Sequence, residues 1–133
     1  MTAINAAEFT IDATGDACVG DEILFSEAVF SGSYRNAKYL GDRRIAARIV
    51  KDSYGADRQQ HTFSLVVIAS DGVEPLAGGA TTRRKGRNVY RNRTMRKRWT
   101  DEASRKAALD DKHARGSAAR SARDARRAEG WLL

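Results

Sequence analysis

The chain has 133 residues and a formal net charge of +7, with 41% hydrophobic and 31% charged residues. That is enough for one core but not for two, and a charged fraction above the usual quarter leaves part of the chain outside it. No apolar run is long enough to cross a bilayer, the start MTAINAAEFTIDATGDA lacks the layout of a secretion signal, and a lone Cys18 can form neither an internal disulfide nor a cysteine zinc site.

These limits give the expectation of a cytoplasmic protein with no membrane contact, no metal and no cofactor. Cys18 reads as a small packing residue. Residues 1–18 mix Ala, Thr, Asp and Gly without a steady period and read as a loose lead-in or a short helix. Order is expected from Val19. VGDEILF (19–25) places Gly-Asp before an apolar strand, and AVFSGSY (28–34) continues through turn residues to an edge.

The clearest architectural signal lies in residues 41–72. In RRIAARIVK, Ile45, Ala47 and Ile49 fall on one face of a strand, and Arg44, Ala46, Arg48 and Val50 on the other. In QHTFSLVVIA, His61, Phe63, Leu65, Val67 and Ala69 share a face. DSYGADRQ between them has turn chemistry, so the two runs predict an antiparallel hairpin, and Asp71-Gly72 predicts the next turn. VEPLAGGATTRRKGRNVY then predicts one or two strands, with Pro75 in a connection where its missing donor does no harm. Short strands at this spacing favour closure, which removes edges. The expected fold is mainly β with α: a small SH3-like or OB-like antiparallel barrel over residues 19–92, then a basic connector and a long basic C-terminal helix over 93–133.

Thr100, Asp101 and Glu102 supply a cap and acids at a helix start, and alanine-rich sequence follows. At about 100° per residue, Ala103, Ala107, Ala114, Ala118, Ala125, Ala128 and Leu132 form one face, expected to lie on the barrel or on a second copy. Arg105, Lys112, Arg115, Arg120, Arg123, Arg126 and Arg127 form the opposite face, expected to remain free. Gly116 could bend or end the helix.

Charge is distributed unevenly along the chain. Residues 1–82 carry −4 and residues 100–133 carry +2, whereas residues 83–99 hold nine cations and no carboxylate. Even if every excess acid of the first part answered this segment, about five cations would stay unmatched, a pattern suited to a polyanion that releases counterions on binding. Seven of the nine are Arg, whose planar fork fits phosphate.

The expected partner is therefore nucleic acid, DNA or RNA, held through Arg83, Arg84, Lys85, Arg87, Arg91, Arg93, Arg96, Lys97 and Arg98, with Arg120, Arg123 and Arg127 in support. Contacts of this kind position the protein without reading sequence. Tyr90 is a candidate for stacking a base, whereas Trp99 reads as a hinge between barrel and helix. Tyr34, Tyr39 and Tyr54 fall in turns, and each reads as a partly buried surface residue.

Two other classes remain. The chain could dock on a larger nucleoprotein complex or an acidic enzyme, as accessory factors or inhibitors of phages and plasmids do, with its cations steering association. It could also be a small endoribonuclease using His61 with Arg58, Lys51 or Tyr54. A hairpin histidine packed against the core is the plainer reading of His61, and the sequence assigns no catalytic residue.

Overall fold

In the computed structural model, which describes residues 3–54 and 61–132 and leaves out the side chains of residues 54, 119, 120, 123 and 126–132, six strands form one open sheet. The strands are β1 (Phe9–Asp12), β2 (Glu22–Ser31), β3 (Lys38–Tyr54), β4 (His61–Gly72), β5 (Thr81–Lys85) and β6 (Met95–Lys97). The helices are α1 (Gly86–Tyr90) and α2 (Glu102–Leu132). The strand order is β1-β6-β2-β3-β4-β5, with every pairing antiparallel.

The hairpin read from residues 41–72 forms as β3 and β4, in register from Arg43↔Gly72 to Tyr54↔His61. Its alternation is the reason: Ile45, Ala47, Ile49, Phe63, Leu65 and Val67 point to one face and are buried, each large one contributing about 1.5–3 kcal/mol. Gly72 ends β4 with φ +89, and a Cβ there would meet the backbone of Arg43 at 3.1 Å, so the Asp71-Gly72 turn depends on glycine.

The expected barrel does not form. The sheet stays open, with β1 and β5 as its two edges. Closure is replaced by cover: α1, α2 and the segment 13–21 pack on the apolar face, where Val89, Ala13 and Ala17 complete the core. Residues read as loose lead-in supply β1, and the connector after residue 92 supplies β6, which inserts between β1 and β2.

The helix runs through Gly116, but its buried face is the reverse of the one expected. Arg105, Lys112 and Gly116 are buried with Ala108 and Leu109 beside them, whereas Ala103, Ala107, Ala114, Ala118 and Ala125 are exposed. Two buried carboxylates explain the reversal. Asp21 binds Arg105 through Nε–Oδ1 and Nη2–Oδ2, each 2.9 Å, and Lys112 Nζ lies 3.8 Å from Asp52 Oδ2. Long cationic stems bury methylenes while their heads reach these anions, which a row of alanines cannot do. Asp101, one residue after Thr100, receives the Ala103 N–H at 3.0 Å and starts the helix.

Candidate nucleic-acid interface

The basic segment 83–99 is not a strand end and connector. It runs from edge strand β5 through α1, crosses the covered face of the sheet, and enters the sheet again as β6. This path separates the nine cations into two groups.

Four of the nine are engaged within the molecule. Arg96 is buried and forked onto Glu102, Nη1 to Oε2 at 3.0 Å and Nη2 to Oε1 at 2.8 Å. Lys97 Nζ lies 2.7 Å from Glu8 and 3.8 Å from Glu22. Arg84 and Arg43 both close on Glu27; Arg84 Nε donates to its Oε1 at 2.7 Å. Burial works to raise the Glu27 carboxyl, but hydrogen bonds from Arg84 and Arg43 outweigh it and leave it below the ordinary glutamate range. Arg93 pairs with Asp12 at 3.2 Å with both side chains largely exposed, a weak contact that a ligand can replace.

The remaining five are Arg83, Lys85, Arg87, Arg91 and Arg98. None has an ion pair among the described residues, and all but the half-buried Lys85 are exposed. Arg83, Lys85, Arg87 and Arg91 follow one another along β5, α1 and its exit, with Arg83 and Lys85 on the face of β5 opposite Arg84. Arg98 stands apart in a cleft of about 310 Å³ lined by Gly20, Trp99 and Ser104. Arg120, Arg123 and Arg127 belong to α2, with side chains outside the described set.

Tyr90 is partly buried and packs against the core. Its hydroxyl accepts the Ala17 N–H at 3.2 Å and lies 3.3 Å from Lys112 Nζ, and its ring meets Phe63 edge-on at 5.9 Å. Trp99 lies between β6 and α2, with Nε1 donating to Asp21 Oδ1 at 2.7 Å.

His61 is also committed to the fold. Nδ1 lies 3.0 Å from Asp52 Oδ1, the ring packs edge-on against Phe63 at 4.6 Å, and Gly86 covers Nε2. Lys51 pairs with Ser64 on the opposite face, while Arg58 and the Tyr54 side chain lie outside the described residues. Burial pushes the Lys112 ammonium below the ordinary lysine range despite the pull of Asp52. Burial likewise raises the Cys18 thiol to about 11, so it is a poor nucleophile at neutral pH.

One feature beside α1 was not read from the sequence. A cleft of about 330 Å³ opens between β2 and the exit of α1, lined by Ser26, Ala28, Phe30, Asn88, Arg91 and Asn92, with the Glu27–Arg84 pair at its wall. Phe30 is 58% exposed. Phe30 falls on the face of β2 opposite Ile23, Phe25 and Val29, and the bulge beside it lies in β3, where Leu40 is the extra residue between Tyr39 and Gly41.

Among the described residues no three of His, Cys, Asp and Glu gather as metal ligands, and no helix is long and apolar enough to cross a membrane.

The chain is thus an open antiparallel β-sheet protein covered by two helices, with exposed cations along β5, α1 and the segment that follows. It belongs to the family described as "Domain of unknown function (DUF7699)", whose model matches residues 18–99, the stretch from Cys18 to Trp99 that holds β2 to β6. It is also 40% identical over 125 residues, 90% of its length, to "Zinc finger CCCH domain-containing protein 62" of Oryza sativa subsp. japonica. The chain spans 18% of that protein's length. A zinc finger of that type needs three cysteines and a histidine, and this chain has one cysteine, so the shared region is not itself such a finger here. No solved structure matches the chain.

Proposed function

We infer that this protein is a nucleic-acid-binding module that holds DNA or RNA chiefly by its phosphates, through Arg83, Lys85, Arg87 and Arg91 along β5, α1 and its exit. Arg98, Arg93 and the α2 arginines Arg120, Arg123 and Arg127 add to the field. The observation that carries the reading is the set of five cations in 83–99 that have no ion pair among the described residues. The other four are paired with Glu27, Asp12, Glu102, Glu8 and Glu22, and a polyanion would complement the five. Similarity to a protein named for a zinc finger domain agrees with this reading, since such fingers commonly contact nucleic acid.

Binding of this kind positions a protein without fixing its sequence choice. Arg84, Arg96 and Lys97 are left out of the contact set because their partners are carboxylates already in place, and Tyr90 because it faces the core.

The deciding measurement is affinity for random single- and double-stranded oligonucleotides between about 50 and 200 mM salt. The expected result is a steep fall of log affinity with log salt, corresponding to roughly four or five phosphates neutralised. Weak affinity with no slope would overturn the proposal and favour a protein that docks on an acidic partner.

A further inference from the structure

We propose that the cleft between β2 and the exit of α1 takes an unpaired nucleobase, which makes single-stranded nucleic acid the preferred ligand of these cations. This rests on the nucleic-acid reading above and adds the class of strand.

Three observations converge on this cleft. The first is an exposed aromatic cluster that includes one residue of its lining, Phe30. Phe30, Tyr34, Tyr39 and Leu40 are four of the five exposed large hydrophobic side chains among the described residues, and all sit at one end of the β2–β3 hairpin. Single exposed apolar side chains need no explanation, but a cluster at one end of one hairpin does. Phe30 and Tyr39 form a tilted pair with ring centres 5.7 Å apart, and the Tyr39 hydroxyl is fixed by a 2.7 Å hydrogen bond to Asp42. Phe30 is also one of the residues that line the cleft.

The second is the chemistry of the opposite wall. Asn88 and Asn92 supply amides able both to donate and to accept, as base edges require. Arg91 stands beside them with no carboxylate partner among the described residues, placed to meet a phosphate. Glu27, the one acid of the lining, is taken up by Arg43 and Arg84. Arg35 and Lys38, exposed on the hairpin end without ion pairs among the described residues, extend the positive field past the aromatic pair.

The third is the backbone. β2 pairs with β6 only at Ile23 and Leu24. Beyond that point its β6-side edge has no strand neighbour among the described residues, and Asn92 reaches across to the Ser26 carbonyl at 3.4 Å. The floor of the cleft therefore offers peptide groups that can hydrogen-bond a base.

A volume of about 330 Å³ is at the small end of the ~300–1,000 Å³ range of ligand sites. It suits one nucleoside-sized group rather than a duplex. A base within a duplex keeps both faces stacked and cannot enter, whereas an unpaired base can leave its neighbours for Phe30.

The test compares a labelled single strand of about twelve nucleotides with a duplex of the same length, for the intact chain and for Phe30→Ala and Phe30→Trp. Circular dichroism checks that the variants fold. The proposal expects the single strand to bind at least about tenfold tighter than the duplex. Phe30→Ala should lose about tenfold on the single strand with duplex affinity and salt slope unchanged, and Phe30→Trp should keep the preference. Equal affinity for both strand types with an indifferent Phe30→Ala would overturn the cleft's role and leave the phosphate reading standing. Loss of an extended acidic peptide, but not of single strands, on Phe30→Ala would overturn it in favour of a peptide site. No salt-dependent binding to either nucleic acid would overturn both.

Discussion

Arg105 on α2 and Asp21 ahead of β2, 84 residues apart in sequence, form a two-pronged ion pair with both contacts at 2.9 Å, and both residues are buried. Asp21 also accepts the Trp99 indole N–H at 2.7 Å and the Cys18 N–H at 3.0 Å. One carboxylate thus joins the sheet, the segment before it and the helix. Removing it leaves Arg105 charged and unpaired in the interior, so Asp21→Ala should cost about 3–5 kcal/mol. Replacing both partners, Asp21→Asn with Arg105→Met, should cost clearly less than the sum of the single changes. Urea denaturation of the four proteins measures this; strictly additive losses would show that the pair carries no coupling.

Glu102 gives the fold a pH dependence with a definite sign. Hydrogen bonds from Arg96 come first among the causes, then the Trp99 N–H, and together they hold its carboxyl at about 2 against an ordinary 4.5. The folded-state value lies below the unfolded one, so the contribution is complete above about 4.5 and is lost as the pH falls from there towards about 2. Glu102→Gln has no proton to take up in that window. The urea midpoint of the parent should therefore drop more steeply over this range than that of the variant. Parallel acid limbs would mean that Arg96 does not hold Glu102 in solution.

Gly86 begins α1 against the ring of His61. A methyl group there would stand 2.6 Å from Cε1 and 2.7 Å from Cδ2, inside contact distance of a ring already fixed by Asp52 and Phe63. Gly86→Ala should cost about 1–3 kcal/mol through this overlap, although alanine favours a helix. His61→Ala should relieve most of the added cost when combined with it. A neutral Gly86→Ala would show that α1 can move off the ring.

The extent to which the sequence revealed this molecule follows from which interactions are local. The β3–β4 hairpin was legible because Ile45, Ala47 and Ile49 alternate against Phe63, Leu65 and Val67, and period and turn chemistry agree. The open sheet was not, because β6 spans Met95–Lys97 and carries a buried arginine. Its place between β1 and β2 is set by Glu102 and Glu8, partners that no periodicity reveals. The helix face was misread for a similar reason. Arg105, Leu109, Lys112 and Gly116 are a true helical stripe, but its meaning depends on Asp21 and Asp52, contributed by distant parts of the chain. The arithmetic of 83–99 left about five cations over, and five have no ion pair among the described residues, although one of the pairs, Arg96 with Glu102, uses an acid that the arithmetic did not count. Which five depended on the tertiary path of the segment.

That division among the cations makes a last contrast testable. Arg91 and Arg96 lie five positions apart and look equivalent as sequence, yet one is exposed without an ion pair among the described residues and the other is buried on Glu102. Arg91→Gln should leave the urea midpoint within experimental error, weaken nucleic-acid binding for every sequence alike and lower the salt slope by about one. Arg96→Gln should do the reverse, costing stability because the fork onto Glu102 is lost, with a salt slope like that of the parent at temperatures where it stays folded. The same pattern should extend to Arg87→Gln on the Arg91 side and to Lys97→Gln on the Arg96 side. If the slope instead fell equally for Arg96→Gln and Arg91→Gln, the internal carboxylates would have to yield to phosphate on binding, and the contact set would include β6.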